Sequence, residues 1–188
     1  MFFPCSLVAI WLGVLLIQGC GAARKWDYEP ISVTAFSSDE SLVKFEPKII
    51  RMGRGELGIS ANVLWNYDTT EETMVSAVVY RSTSGDERDY KLLPWTIPNQ
   101  PLYEYLDNYY KDVIVKNFAP CSNLPQFEGK FEPPIPKQTY TADKCVVEGD
   151  GLPEIAPPGF YKIIFNCTGP DQPTWSLTGI IKLTNKMF

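Results

Sequence analysis

Three cysteines and one glycan acceptor are the residues of this sequence best suited to covalent chemistry. Cys121, Cys145 and Cys167 lie in its second half, and Asn166-Cys167-Thr168 forms an Asn-x-Thr sequon. In a secreted chain such cysteines form disulfides, and a sequon accepts a glycan. Since three is an odd number, at most one intramolecular bridge forms and one thiol is left over. Asn166, the acceptor residue of the sequon, is a predicted glycosylation site, and an unmodified asparagine in a turn is the alternative.

Histidine is absent from the sequence, and its absence removes several classes of site. Ser-His and Cys-His nucleophiles, His-ligated zinc and histidine general bases all need the imidazole. A hydrolase built on two carboxylates remains an alternative, but no pair stands out among the 22 acidic residues. We therefore predict no catalytic residue, no metal site and no enzyme.

The stretch GRGELG, residues 53–58, matches the dinucleotide-binding pattern GxGxxG. That pattern needs a helix N-terminus after the glycines to receive the pyrophosphate. Here a strand follows, so we interpret the stretch as a turn between two strands. The sequence predicts no cofactor.

The N-terminal segment, residues 1–22, is predicted to be a secretory signal peptide. An apolar run from Leu7 to Ile17 is followed by small residues and then by charge, which is typical of such signals. A membrane anchor is the alternative, but it needs roughly 18 apolar residues, and Pro4 and Gln18 shorten this run. We expect residues 23–188 to form one secreted, extracellular domain.

The net charge of −5 argues against a nucleic-acid partner, because such proteins usually carry a basic patch.

Alternation of apolar and polar residues dominates the rest of the chain. It is clearest in ELGISANVLW (56–65), TMVSAVVYRS (73–82), FYKIIFNC (160–167) and TWSLTGIIKLT (174–184). A period of two indicates half-buried antiparallel strands. Weaker strands are predicted at 31–37, 42–50, 87–92 and 138–147, and residues 159–184 are predicted to form a hairpin. One segment departs from the alternation: residues 101–116 have helical spacing and a proline at the start, which predicts one amphipathic helix.

The order of features from Tyr103 onward resembles a known family. The stretches are LYEYLDNYYKDVIVKNFAPCSNLP, PPIPKQTYTADKCVV, GLPEIAPPGFYKIIFNC and WSLTGIIKLT. They are similar to the ML lipid-recognition superfamily, in the branch of the ganglioside activator protein and the insect chemosensory proteins akin to it. The resemblance implies an immunoglobulin-like antiparallel β-sandwich with a central apolar cavity that holds a lipid, and it implies no catalysis.

Two positions depart from the family pattern. Pro133-Pro134 stands where the family usually has Cys-Pro, and Tyr103 or Tyr105 lies near a position where relatives often carry a helix cysteine. If those two cysteines normally form a bridge, both are missing here. The helix is then expected to be untethered and more mobile as a lid.

Inward-facing apolar residues are the candidates for the cavity wall, because two sheets bury the faces they turn toward each other. The candidates are Trp65, Val79, Leu106, Tyr109, Val113, Phe165, Trp175 and Ile181. We expect a carrier or a chemosensory, pheromone-response cofactor that binds a lipid or other small apolar molecule, with a membrane receptor as a further partner. The alternative is a secreted structural or protein-interaction module with a filled core and no ligand.

The expected strand arrangement also predicts the disulfide. If the strand at 138–147 runs opposite to that at 159–167 in the other sheet, Cys145 lies about 20 Å from Cys167 along the strand direction. A bridge needs Cα atoms within about 7 Å. The chain from Cys121 is expected to arrive beside Cys167, so we predict a Cys121–Cys167 bridge.

Overall fold

The computed structural model describes residues 24–53 and 55–186, so the predicted signal peptide at 1–22 lies outside the described residues. Within these ranges the chain is mostly β-structure. The strands are β1 (Trp26–Ser37), β2 (Val43–Arg51), β3 (Leu57–Trp65), β4 (Met74–Ser82), β5 (Lys91–Leu92), β6 (Ile97–Pro101), β7 (Gln138–Cys145), β8 (Gly159–Thr168) and β9 (Trp175–Asn185).

The strands form two antiparallel sheets, which confirms the predicted all-β sandwich. The larger sheet has the order β1-β9-β8-β4-β5, with β6 also paired to β4, and the smaller sheet has the order β2-β3-β7. The predicted terminal hairpin is present as β8 and β9, which pair from Cys167 opposite Trp175 to Gly159 opposite Leu183. Buried residues of both sheets face each other, because each strand has one apolar face to remove from water.

The predicted strand at 87–92 was only partly right. Residues 87–92 divide into a 3-10 helix, Glu87–Asp89, and the two-residue strand β5. The Asp86 carboxylate starts that 3-10 helix by accepting the Arg88 N–H at 3.0 Å. Strand β6 was not predicted, since its sequence IPNQP has no alternation. Its prolines are tolerated because β6 is an edge strand.

The predicted helix at 101–116 is present as one continuous helical segment, α1, over 102–118. It is α-helical at Leu102–Tyr105, has the wider π-type hydrogen bonds over Leu106–Val115, and is α-helical again at Lys116–Phe118. A 3-10 turn, Ala119–Cys121, follows directly. The spacing of apolar residues predicted the amphipathic helix, but it carries no signal for π-type bonding, in which each N–H reaches five residues back.

Gly53, Gly55 and Glu56 of the GRGELG stretch lie in the connection between β2 and β3, as predicted, while Leu57 and Gly58 belong to β3. The Met52 N–H donates to the Glu56 carbonyl at 3.0 Å, and strand β3 begins at Leu57. These residues join two antiparallel strands and have no helix after them.

The predicted Cys121–Cys167 disulfide is wrong, because Cys121 is bonded to Cys145, with Cα atoms 5.5 Å apart. After α1 the chain runs antiparallel beside β7, with Ser122 opposite Ala142. This pairing places Cys121 at the end of β7, whereas we expected it at the beginning. The exclusion of a Cys145–Cys167 bridge was correct, since Cys167 lies in the other sheet and is free.

Helix α1 is held by non-covalent contacts at the place where the family pattern has cysteines. Tyr103 stacks on Phe131 with ring centroids 5.8 Å apart, and its hydroxyl donates to the Thr69 carbonyl at 2.9 Å. The Phe131 N–H donates to the Asp107 carboxylate. These contacts attach helix α1 to the loop before Pro133-Pro134 without a disulfide. The helix is therefore not untethered, contrary to the expectation.

Candidate ligand-binding site

The buried core between the two sheets is divided into two separate clusters. The first includes Val43, Trp65, Tyr67, Val75, Tyr105, Leu106, Tyr140, Cys167 and Trp175, and the second includes Trp26, Ala156, Tyr161 and Leu183. Strand β8 contributes Cys167 to the first cluster and Tyr161 to the second. The inner face of β8 between them holds Ile163 and Phe165.

Ile163 faces the inside of the sandwich but is not buried. Its neighbours of the same parity, Tyr161 and Cys167, are 2% and 1% exposed, whereas Ile163 is 36% exposed. Side chains two residues apart in a strand point to the same face. An inner-face isoleucine with this exposure shows that the opposite layer does not cover it.

Gly179 lies directly beside Ile163 on β9, and Val33 and Val79 complete this line across β1 and β4. We call these four residues the Ile163 row. A Cβ atom built on Gly179 would have nothing within 4 Å, although its backbone φ is an ordinary one for a strand. The inner face therefore has free space at Gly179 as well as at Ile163.

The smaller sheet also has small side chains in the middle of its inner face. Ala61 and Ala142 are cross-strand neighbours there, and bulkier residues flank them toward the first cluster, such as Val63 and Tyr140. Small residues on both sheets reduce the side-chain volume available to fill the layer between them.

The first cluster contains a buried polar group of three side chains. The Trp175 indole N–H donates to the Tyr67 hydroxyl at 2.8 Å, and that hydroxyl lies 4.0 Å from the Cys167 Sγ. Burial raises the pKa of Tyr67 and raises that of Cys167 to about 12. Both groups are neutral at physiological pH, so the Cys167 thiol is a poor nucleophile.

Helix α1 closes the first cluster from the side of β4 and β8. Tyr105 lies over Phe165, with ring centroids 5.1 Å apart, and burial raises its pKa to about 12. Tyr110 stacks on Phe127 with centroids 6.1 Å apart, and its hydroxyl donates to the Pro125 carbonyl at 2.9 Å. The helix therefore places the Tyr105 ring against the interior, and Tyr110 anchors the helix to the loop at Pro125 and Phe127.

The end of α1 is fixed to the loop before β8 by the buried amide of Asn117. Its Nδ2 donates to the Val113 and Asp150 carbonyls at 2.7 and 2.8 Å, and its Oδ1 accepts the Gly149 N–H at 2.8 Å. One side chain thus satisfies groups of the helix and of the loop, which holds the two together over the second cluster.

The eight candidate wall residues do not form one surface. Trp65, Leu106 and Trp175 are buried in the first cluster, and Phe165 packs against it. Val79 and Ile181 pack against the second cluster, Val113 is half-buried, and Tyr109 is 40% exposed on the outer side of α1. Ile163 and Gly179 were missed, although the alternation had placed both on the inner face; exposure could not be read from the pattern.

The predicted glycosylation site lies on the outer face of the larger sheet. Asn166 lies opposite Ser76 and Ser176 in the larger sheet, and the next residue, Cys167, is buried on the inner face. The Asn166 side chain therefore points to the outer face, where it is half-buried.

Clusters of metal-ligating side chains and membrane-spanning helices are both absent from the described residues. Across 24–53 and 55–186 no group of three or more acidic or cysteine side chains is placed to hold a metal ion. In the same ranges no helix is long and apolar enough to cross a membrane.

Across residues 24–53 and 55–186 the fold is an antiparallel β-sandwich with the helix α1, and it leaves free space on its inner face at Ile163 and Gly179. A family model described as "Protein of unknown function (DUF1091)" matches residues 75–163, slightly less than half of the 188-residue chain. The matched part runs from β4 through α1 and both bridged cysteines to Ile163. No curated protein matches this chain.

Proposed function

We propose that this protein is a secreted, non-catalytic binding protein for a lipid or other small apolar ligand, held between the sheets against the Ile163 row. The observation that carries the proposal is the exposure of Ile163 on an inner face, beside free space at Gly179. Apolar surface of this kind is stabilised by a ligand that removes it from water.

Three further features support the proposal. The sequence resembles the ML lipid-recognition superfamily, whose members present, transport or sense lipids. The Cys121–Cys145 disulfide is typical of chains that fold in an oxidising compartment. The buried thiol of Cys167 is held neutral, so the first cluster offers no activated nucleophile of the kind that catalysis needs.

The role of such a protein is that of a carrier or of a chemosensory, pheromone-response cofactor that delivers its ligand to a membrane receptor. A structural or interaction module with a filled core is the alternative. That alternative requires the interior at Gly179 to be packed, which the free space there does not favour.

Native mass spectrometry after exposure to a lipid extract tests the proposal. Wild-type protein is expected to retain an apolar ligand, and Gly179→Leu is expected to lose it, because the new side chain occupies the ligand's space. Thr178→Leu is the matched control, since Thr178 is the preceding residue and points to the outer face. Retention of no ligand from any lipid class by the wild-type protein would refute the proposal.

A further inference from the structure

A pocket of about 310 Å³ lies at the β4–β5 edge of the larger sheet, outside the Ile163 row. It is lined by Arg81, Thr83, Asp89, Lys91 and Leu93. Two of these side chains are cations and one is an acid, so its chemistry differs from that of the aromatic first cluster.

The strand register places this pocket on the inner face of the sheet. Arg81 lies opposite Lys91 on β5 and opposite Tyr161 on β8. Val79, two residues before Arg81, lies opposite Ile163. Directly opposed residues of antiparallel strands share a face, so Arg81 and Lys91 point to the same side of the sheet as Ile163. The polar pocket therefore follows Val79 of the Ile163 row along β4, at the edge of the second cluster, to which Tyr161 belongs and against which Leu93 packs.

Arg81 is held in place but not fully satisfied. Its terminal Nη2 donates to the Pro158 carbonyl at 2.7 Å, while its Nε is buried without a hydrogen-bond partner. The backbone of Gly159 makes room for this guanidinium, since a Cβ there would come within 3.3 Å of Nε. Arg81 lines the pocket, and its guanidinium carries more N–H donors than the Pro158 carbonyl satisfies, so an oxyanion in the pocket can accept from it.

The neighbouring charges leave the pocket with an excess of positive charge. Lys91 is exposed and, within residues 24–53 and 55–186, is absent from the ion pairs closer than 4.0 Å. Asp89 is the opposing charge in the lining, and it accepts a hydrogen bond from the Ser84 hydroxyl. The nearby Glu87 carboxylate is paired with Lys162, so it does not neutralise Lys91.

We propose that the ligand is an amphiphile with an oxyanion head group, a carboxylate or a phosphate. Its chain lies on the Ile163 row and its head group lies between Arg81 and Lys91. This inference rests on the proposed function, because it assigns a head-group site to the same ligand. Arginine suits the task because its planar fork pairs with two oxygens of such an anion.

Binding of matched ligands to lipid-free protein tests the inference by isothermal titration calorimetry. Oleate, oleyl phosphate and oleyl alcohol share one chain, and acetate and inorganic phosphate represent the head group alone. We expect oleate or oleyl phosphate to bind about tenfold more tightly than oleyl alcohol, since one charge-assisted hydrogen bond is of that magnitude. The preferred anion identifies the head-group class, and the two small anions are expected to bind too weakly to saturate.

Variants of the two cations separate a binding role from a structural one. Lys91→Gln and Arg81→Gln are each expected to weaken oleate or oleyl phosphate about tenfold and to leave oleyl alcohol unchanged. Lys91 is exposed, so its variant keeps the test valid even if Arg81→Gln loosens the Pro158 loop. Arg88→Gln is the matched control, because Arg88 is an exposed cation outside the pocket lining and is paired with Asp86.

The outcomes distinguish this inference from the proposed function. Equal binding of the charged and uncharged ligands, unchanged in Lys91→Gln, would overturn the head-group site and leave the apolar site standing. Tight binding of acetate or phosphate without a chain would also overturn it, since the chain would then not share the site. Failure of every chain-bearing ligand would instead refute the proposed function itself.

Discussion

Replacing Gly179 by alanine and by valine measures whether the interior beside Ile163 is open, independently of any ligand. In a packed core, added methyl groups force neighbours aside and cost about 1–3 kcal/mol. At Gly179 a Cβ would have nothing within 4 Å, so the same change is expected to stabilise the fold. The sign of the effect therefore discriminates between the two interiors.

The expected magnitude comes from two terms. Glycine inside a strand is less stable than alanine by roughly 0.5–1 kcal/mol, because it loses more backbone freedom on folding. Valine adds two methyl groups to this, each worth at most about 0.8 kcal/mol when fully buried. Since the site stays partly open, we expect Gly179→Ala to gain about 0.5–1 kcal/mol and Gly179→Val about 1–2 kcal/mol.

Urea unfolding of lipid-free protein is the assay, because a bound ligand would itself stabilise the wild type. With a denaturant slope of about 2 kcal/mol per molar, the midpoint of Gly179→Val should rise by about 0.5–1 M. Thr178→Val, on the outer face, is the control and should change stability by less than about 0.5 kcal/mol. A lower midpoint for both Gly179 variants would show that the interior is filled, and the site at the Ile163 row would be refuted.

Three other predictions follow from the cysteines and the sequon. The Cys121→Ala/Cys145→Ala variant should lose about 3.5 kcal/mol in urea unfolding, from the chain entropy of a loop with a separation of 24 residues; non-reducing peptide mapping that joins Cys121 to Cys167 would contradict the pairing. The pKa of Cys167 is raised by burial to about 12, so the unfolded thiol ionises first as pH rises. Above about pH 9 the free energy of unfolding of the wild type should therefore fall by about 1.4 kcal/mol per pH unit more than that of Cys167→Ala. The same pH dependence of unfolding in both proteins would contradict this. Protein from a secretory host should lose mass on peptide-N-glycosidase treatment, and Asn166→Gln should not; equal masses before and after treatment of the wild type would contradict glycosylation.

Much of the fold could be predicted from periodicity, because a strand that buries one face has apolar and polar residues in alternation. This is why β3, β4, β8 and β9 were found, and the same period places adjacent residues such as Asn166 and Cys167 on opposite faces. The disulfide was missed because the residues after α1 have no alternation, and only the structure shows that Ser122 pairs with Ala142.

The candidate site depends on what lies opposite the inner face of the larger sheet, which periodicity does not show. Alternation places Ile163, Gly179 and even Arg81 on the inner face, and a charged residue at an inward position was a signal that could have been used. It does not say whether anything lies opposite them. That depends on how many strands each sheet contains and how the sheets overlap, which follows from long-range pairing.

The strand counts explain why this part of the inner face is left for a ligand. Neighbouring strands lie about 4.8 Å apart, so the path β1-β9-β8-β4-β5 is about 19 Å wide, while β2-β3-β7 is about 10 Å wide. The sheets approach each other along β1 and β2, so the smaller sheet cannot reach β4 and β5 on the far side. Helix α1 covers the upper part of that side through Leu102 and Tyr105, where the first cluster is complete. Below it, Ile163 stays exposed between the two clusters, and an amphiphile with a charged end would match both this apolar surface and the basic pocket at Arg81 and Lys91.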